Sequence, residues 1–302
     1  MRYRPRGPFA FPISPADIGP VTPTRRSFLA TLGTAAIGAL IRPGCAPAAT
    51  RARIERVGLQ LYTVRTEMRR DLEGTLARVA EIGYREVEFA GYFDRTPAQI
   101  AALLERHSLA APSTHIGLDQ MQSDWERVAQ DAAAIGHTYV TVPWLAAQER
   151  RTVDDWKRTA ADFNEQARRA RSAGLRFAYH NHDFEFTRIA DVVPFDVLLA
   201  GTDPDLVDFE LDIYWITRAG FDAVDYLVRF PGRFTMTHLK DSGGAPDHEM
   251  VDVGSGTIDF ARVIAAANAS GVRHHFVEHD RPADALSSIR SSYAYLSDIN
   301  NN

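Results

Sequence analysis

The stretch Leu175-Arg176-Phe177-Ala178-Tyr179-His180-Asn181-His182-Asp183-Phe184-Glu185 decides the reading of this chain. A short apolar run leads into two imidazoles, an amide and two carboxylates. Alternate residues of a strand share a face, so His180 and His182 should point the same way. Three other stretches have the same form, an apolar strand ending in ligand-type residues. They are Val207 to Trp215 (VDFELDIYW), Phe234 to Asp241 (FTMTHLKD) and His275 to Asp280 (HFVEHD). Burying so much polarity is costly without partners or a metal. Four such strand ends converging on one point predict a metal site.

Outward from these segments, short apolar strands alternate with helical stretches from Arg53 onward. The earlier strands are expected at Val57 to Tyr62, Glu86 to Ala90, Ala111 to Ile116 and Tyr139 to Trp144. Helix signals separate them. Asp71 caps a helix ended by Gly83, and Thr96-Pro97 places a cap before a proline at the first helical position. Another helix is expected from about Ser123 to Gly136, and a long amphipathic one from about Val153 to Ala173. Strict alternation of eight strands with helices demands parallel strands and right-handed crossovers. Its length, about 250 residues, is that of a (β/α)8 TIM barrel. A doubly wound sheet would carry a glycine-rich phosphate turn after the first strand, where Tyr62-Thr63-Val64-Arg65 stands instead. One α/β domain is therefore expected over residues 53–298.

Residues 1–48 read as a leader. They hold eight of the 16 prolines. Thr24-Arg25-Arg26-Ser27-Phe28-Leu29-Ala30 is a twin-arginine pattern, followed by a small and apolar run from Leu29 to Ile41 and a cleavage-type Ala46-Pro47-Ala48. That run is too short to span a bilayer. The pattern predicts export of a folded protein by the twin-arginine machinery to the periplasm or beyond, with no stable membrane insertion after cleavage.

The full chain of 302 residues has a formal charge of -5. Removing residues 1–48 removes six arginines and Asp17, so the remainder carries (34−6)−(39−1) = −10. Such an acidic domain does not suit nucleic acid, which argues against a nuclease. The one cysteine, Cys45, excludes a disulfide within the chain. Only Lys157 and Lys240 are lysines, and Lys240 lies at a strand end.

Barrel active sites lie at the carboxyl ends of the strands. On strand six, Val207, Phe209, Leu211 and Ile213 alternate with Asp208, Glu210, Asp212 and Tyr214, so Glu210 and Asp212 face the interior. His238 and Lys240 share a face on strand seven. Asp212, His238 and Glu278 are the firmest candidate metal ligands, with an oxygen and nitrogen donor set suited to Mn, Fe, Co, Zn or Mg. Gln60, Glu88 and His115 are strand-end polar residues expected to contact substrate, with Glu88 and Glu210 alternatively paired to arginines below the site. Trp144 and Trp215 are placed to stack on a sugar face or to cap the barrel.

VGLQLYTVR, EVEFAGY, YHNHDFEF, FELDIYW, THLKD, DVGSGTIDF and FVEHD, spanning Val57 to Asp280, together resemble the xylose isomerase-like TIM barrels of the sugar phosphate isomerase/epimerase superfamily. That resemblance implies a divalent metal held by a glutamate after strand five, an aspartate after strand six, a histidine after strand seven and a glutamate after strand eight. Asp212, His238 and Glu278 match the last three. His180 falls where the family has glutamate, a departure that puts two-glutamate epimerisation in doubt. The implied chemistry is proton removal beside a carbonyl, with Glu278 as base, His180 or His182 handling the second proton and Lys240 neutralising the oxyanion. Asn181, Glu185 and Trp215 join the expected substrate contacts. The expected activity is that of a sugar isomerase or epimerase on a non-phosphorylated sugar, since no arginine cluster is seen at the strand ends. A lyase or dehydratase acting on keto-sugars or 3-keto-glycosides is the alternative, and a non-catalytic exported sugar-binding protein is the reading of another class. An oligomer is compatible with this reading.

Overall fold

The computed structural model describes residues 52–301; the leader and its twin arginines lie outside the described residues. Eight parallel strands close into a barrel in the order β1-β8-β7-β6-β5-β4-β3-β2. They are β1 Val57–Gln60, β2 Glu86–Phe89, β3 Ala110–His115, β4 Tyr139–Val142, β5 Arg176–His180, β6 Val207–Asp212, β7 Phe234–Leu239 and β8 His274–Val277. The TIM-barrel expectation therefore holds. Among the described residues, no helix is long and apolar enough to cross a membrane.

The local signals act as read. The Asp71 side chain accepts from Gly74 N at the start of the helix Leu72–Ile82, and Gly83 ends it at φ 127. Thr96 and Gln99 form a capping box on Pro97–Arg106. Several boundaries differ: the first strand ends at Gln60, where Leu61–Val64 turns into a 3-10 helix, and the fourth ends at Val142. The helix expected from Ser123 breaks at Asp124 into Leu118–Ser123 and Trp125–Ile135. The final helix, Ala285–Asn301, runs past residue 298. Strand six stops at Asp212, because Asp212 turns and caps the helix Ile213–Arg218 by accepting from Trp215 N at 2.9 Å. That cap fixes a candidate ligand at the strand end.

Outward-facing aromatics pack the barrel against its helices. Phe163 of the long helix Val153–Ser172 meets Phe177 and Tyr179 at centroid distances of 5.1 and 4.8 Å. Inside, Tyr139, Ala178, Met236 and Phe276 form a separate buried plug. Gly58 is required there, since a Cβ would lie 2.5 Å from Phe276 Cδ1. The interior is thus a packed core below and polar above. Strand register builds the polar end: Gln60 lies beside Glu88, Glu88 beside Ser113, His180 beside Glu210 and Asp212 beside His238. A register shift between Phe209 and Glu210 brings Asp212 level with His238.

The loop after β7 was not foreseen. Asp241–Ser242 pairs antiparallel with Met250–Val251. The fully buried Asp241 carboxylate accepts from Ser242 N, Gly254 N, Gly256 N and Ile258 N at 2.8, 2.9, 2.9 and 3.2 Å. It organises the whole DVGSGTIDF loop, and any Cβ at Gly256 would meet Asp241 Oδ1 at 2.4 Å. Asp241→Ala strips these amides of their acceptor and should cost about 3 kcal/mol or more. Thermal unfolding followed by circular dichroism should fall by about 6–12 °C. An unchanged midpoint would remove Asp241 from this role.

Candidate metal centre

The polar end of the barrel has two layers, joined by His238. In the upper layer, His238 Nδ1 lies 2.7 Å from Glu278 Oε2. Asp212, His238 and Glu278 each offer a donor atom within 4.8 Å of the others. Lys240 Nζ stands 3.1 Å from Asp212 Oδ2, 2.8 Å from Glu278 Oε2 and 3.0 Å from Asp280 Oδ1. Asp212 Oδ2 is buried and makes no aligned hydrogen bond.

In the lower layer, His238 Nε2 lies 2.6 Å from Glu88 Oε2 and 3.1 Å from Glu210 Oε2. Glu88 is itself held by Gln60 Nε2 at 2.7 Å and Ser113 Oγ at 2.5 Å. His115 Nε2 approaches Glu210 and Glu88 at 2.9 and 3.2 Å. His180 Nδ1 lies 3.2 Å from Glu210. The partners of Glu88 and Glu210 are therefore histidines and not the arginines considered above.

Charge follows from these contacts. Burial opposes ionisation of Glu88, yet His115 and His238 hold its carboxyl far below the usual range. Burial lowers the His115 pKa, but Glu88 and Glu210 outweigh it and bring the ring to about 9. Burial and the neighbouring His238 push His180 well down, so it is neutral. Its Nδ1–H then faces Glu210, leaving the Nε2 lone pair 3.8 Å from Asp212 Oδ2. Burial works against protonation of His238, but Glu210, Glu278 and Glu88 raise its pKa well above normal.

These residues fit a divalent ion. Glu88 and Glu210 take the Nε2–H of His238, which directs its Nδ1 toward Asp212 and Glu278, the arrangement that orients metal-bound histidines. Asp212 Oδ2 is a carboxylate oxygen still lacking an aligned donor. With an ion present and His238 neutral, the charges of Glu88, Glu210, Asp212 and Glu278 are balanced by the ion, Lys240 and His115. His180 Nε2 stands 3.8 Å from Asp212 Oδ2, but His180 is not among the three residues whose donor atoms lie together here. His115, His180, Glu210 and His238 form a second group with donor atoms within 4.8 Å of one another, but there Glu88 and Glu210 already occupy the imidazole nitrogens.

Above this lies a cavity of about 510 Å³. His115, His180, His182, Trp215, Lys240 and Glu278 line it, so the two strand-five imidazoles do share its wall. The His182 ring sits between Phe184, stacked at 5.5 Å, and Trp215 at 5.2 Å. Its Nδ1 is buried without a partner. Burial, then Lys240, lowers its pKa to about 3, so the ring is neutral.

Four expected substrate contacts lie elsewhere. Gln60, Glu88, Asn181 and Glu185 are fully buried and do not line the cavity. Gln60 and Glu88 are consumed by each other and by His238, one layer below. Asn181 Oδ1 accepts from Asp212 N at 3.0 Å and clamps β5 to β6. Glu185 accepts from Tyr179 Oη and, at 2.8 Å, from His182 N; burial raises its pKa to about 8. It braces His182 from behind. His115 and Trp215 line the cavity as expected. Sequence reasoning passed over Tyr62, Arg65, Asp280 and Arg281, which form its rim. Their signal was position, one to five residues beyond a strand-end polar group.

Comparison with known proteins agrees with the barrel fold. Residues 76–297 match the xylose isomerase-like TIM barrel family. An inosose dehydratase of Geobacillus kaustophilus (strain HTA426) is 26% identical over 190 residues, 55% of this chain and 60% of that protein. One from Lacticaseibacillus casei is 27% identical over 136 residues, 40% of this chain and 45% of that protein. The aligned part thus spans no more than about three fifths of either curated relative. A crystal structure of a sugar phosphate isomerase/epimerase from Parabacteroides distasonis ATCC 8503 superposes with a TM-score of 0.70 at 25% identity, covering 83% of this chain and 95% of that one. The IolI protein with a bound zinc atom shares the fold, with a TM-score of 0.68 at 15% identity over 82% of this chain and 98% of that one. With well over half of its length inside the family match, the chain belongs to the xylose isomerase-like TIM-barrel family and is an enzyme of it.

Proposed function

We propose that the chain is a divalent-metal-dependent enzyme that removes the proton beside the carbonyl of a keto-sugar or of a cyclic polyol already oxidised to a ketone, and then expels the oxygen substituent on the next carbon. The observation that carries this reading is that, of Asp212, His238 and Glu278, only Glu278 lines the cavity. It faces neutral imidazoles where a second carboxylate would serve an epimerase. A bound divalent ion polarises a carbonyl and the hydroxyl next to it.

The remaining work falls to the side chains. Burial disfavours ionised Glu278, but Lys240 and His238 outweigh it and keep the carboxylate available as base. Lys240 also faces oxyanion charge developing in the cavity. His182, neutral and wedged between two aromatic rings, donates a hydrogen bond to a substrate oxygen without giving up its proton. Glu278 takes the proton from carbon; the C–H electrons form the new double bond as the C–O bond breaks. The same carboxyl returns its proton to the departing oxygen, so the step balances with no other acid. This single-carboxylate shuttle suits a syn elimination, and the resemblance to inosose dehydratases supports it. Isomerisation, in which Glu278 returns the proton to the neighbouring carbon, is the second reading and is supported by the likeness to the isomerase/epimerase structure. Export by the twin-arginine route is supported by Thr24 to Ala30 and favours a non-phosphorylated substrate.

Two outcomes check this. The protein loaded with Mn²⁺ or Co²⁺ should exchange the proton beside a keto-sugar carbonyl with deuterated water or release product, read by proton NMR. Glu278→Gln, with metal loading verified, should slow this by about 10²–10⁴-fold. No exchange and no product would sink the proton-transfer reading. Separately, Glu88→Gln should weaken Mn²⁺ binding about 10–100-fold by equilibrium dialysis, because His238 loses its orienting carboxylate. Undiminished affinity would show that His238 is not held for a metal in this way.

A further inference from the structure

Among the described residues, large hydrophobic side chains stand exposed at Tyr62, Trp144, Val192 and Val228. Two of these four, Tyr62 at 42% and Trp144 at 48%, line the mouth of the cavity. Tyr62 follows β1 and Trp144 follows β4, three strands away around an eight-strand ring, so they flank the mouth from different sides.

Both rings are braced. The Arg65 guanidinium lies 3.9 Å from the Tyr62 ring centroid and donates to Tyr62 O and Asp280 O at 2.7 and 2.9 Å. It thereby ties the loop after β1 to the loop after β8. Arg150 lies 5.5 Å from the Trp144 ring and 3.6 Å from the Phe184 ring, and donates to Leu145 O at 3.2 Å. A held aromatic face loses little entropy when a ring stacks on it, which distinguishes a platform from a loose surface side chain.

Size points the same way. A hexose of twelve heavy atoms fills on the order of 200 Å³ at interior packing density, less than half of the 510 Å³ available. A single ring seated over Glu278 would leave the rim unfilled. The rim also offers hydroxyl partners. Arg281 lines the cavity, and among the described residues its guanidinium makes no ion pair. An anionic group suits this rim less well, because Arg65 is already committed to two carbonyls and the Tyr62 ring, and the Asp280 carboxylate stands beside it.

We infer that the substrate carries two rings: the reacting keto-sugar over Glu278 and a second, glycosidically linked ring between Tyr62 and Trp144 at the mouth. The inference rests on the proposed reaction only for where the first ring sits. It makes the enzyme one that acts on glycosides, with the rim setting the choice of substrate.

The test is a binding measurement on the purified full-length chain by titration calorimetry. The probes are D-fructose, its glucosyl derivative isomaltulose, and D-fructose 6-phosphate. Isomaltulose should bind at least tenfold more tightly than fructose. Tyr62→Ala and Trp144→Ala should each shrink that ratio to within about twofold, and Trp144→Phe should keep most of it, which separates a lost stacking face from a misfolded rim. Equal affinity of the wild type for fructose and isomaltulose, a ratio that survives both alanine variants, or no binding of any probe would overturn the inference. So would a preference for fructose 6-phosphate that Arg281→Ala abolishes, since that would place an anion at the rim. Binding needs no turnover, so failure here leaves the proton-transfer reading to be judged by its own hydrogen exchange.

Discussion

The sharing of His238 between Glu88 below and Glu278 above is the contact on which the site depends. One imidazole spans the two polar layers, with Nε2 2.6 Å from one carboxylate and Nδ1 2.7 Å from the other. The barrel can carry this only because its register brings Gln60, Glu88 and Ser113 into one row and Asp212 level with His238. Buried carboxylates without partners would be prohibitive. Here each is surrounded by imidazoles or by Lys240, so the chain holds a dense set of charges in a dry interior. The buried plug of Tyr139, Ala178, Met236 and Phe276 fills the barrel interior apart from them.

Much of the fold was legible because its signals are local. Strand ends, caps such as Asp71 and Thr96, and the eight-fold alternation each depend on a few neighbouring residues. Asp212, His238 and Glu278 were legible for the same reason: each ends an apolar strand, and the barrel brings those ends together. What was not legible is depth. Nothing in the sequence distinguishes Gln60 and Glu88, one layer under the cavity, from His115, which lines it. Likewise Asn181 and Glu185 carry the same groups as substrate contacts but are spent on Asp212 N, Tyr179 and His182 N. The rim was missed because Arg65 and Arg281 become neighbours of the cavity only when the barrel closes between β1 and β8.

His180 sets the chemistry on one side of the cavity. A neutral imidazole tied to Glu210 contributes a lone pair and no negative charge. His182 next to it is braced by Glu185 from behind and by Phe184 and Trp215 on its faces. Glu278 thus shares the cavity wall with the uncharged His180 and His182, while Asp280, the other carboxylate of the lining, is paired to Lys240, an asymmetry that fits shuttling a proton on one face of the substrate better than exchanging protons across two. The rim with its two braced aromatics extends the same cavity outward, so binding of a distant ring can help to fix the reacting one.

The most direct test of this account is the position of the ion. In crystals soaked with Mn²⁺, anomalous scattering should give one peak about 2.0–2.3 Å from Asp212, His238 Nδ1 and Glu278. Lys240 should move off Asp212 as the ion enters. No peak, or a peak between His115, Glu210 and the Nε2 side of His238, would contradict it.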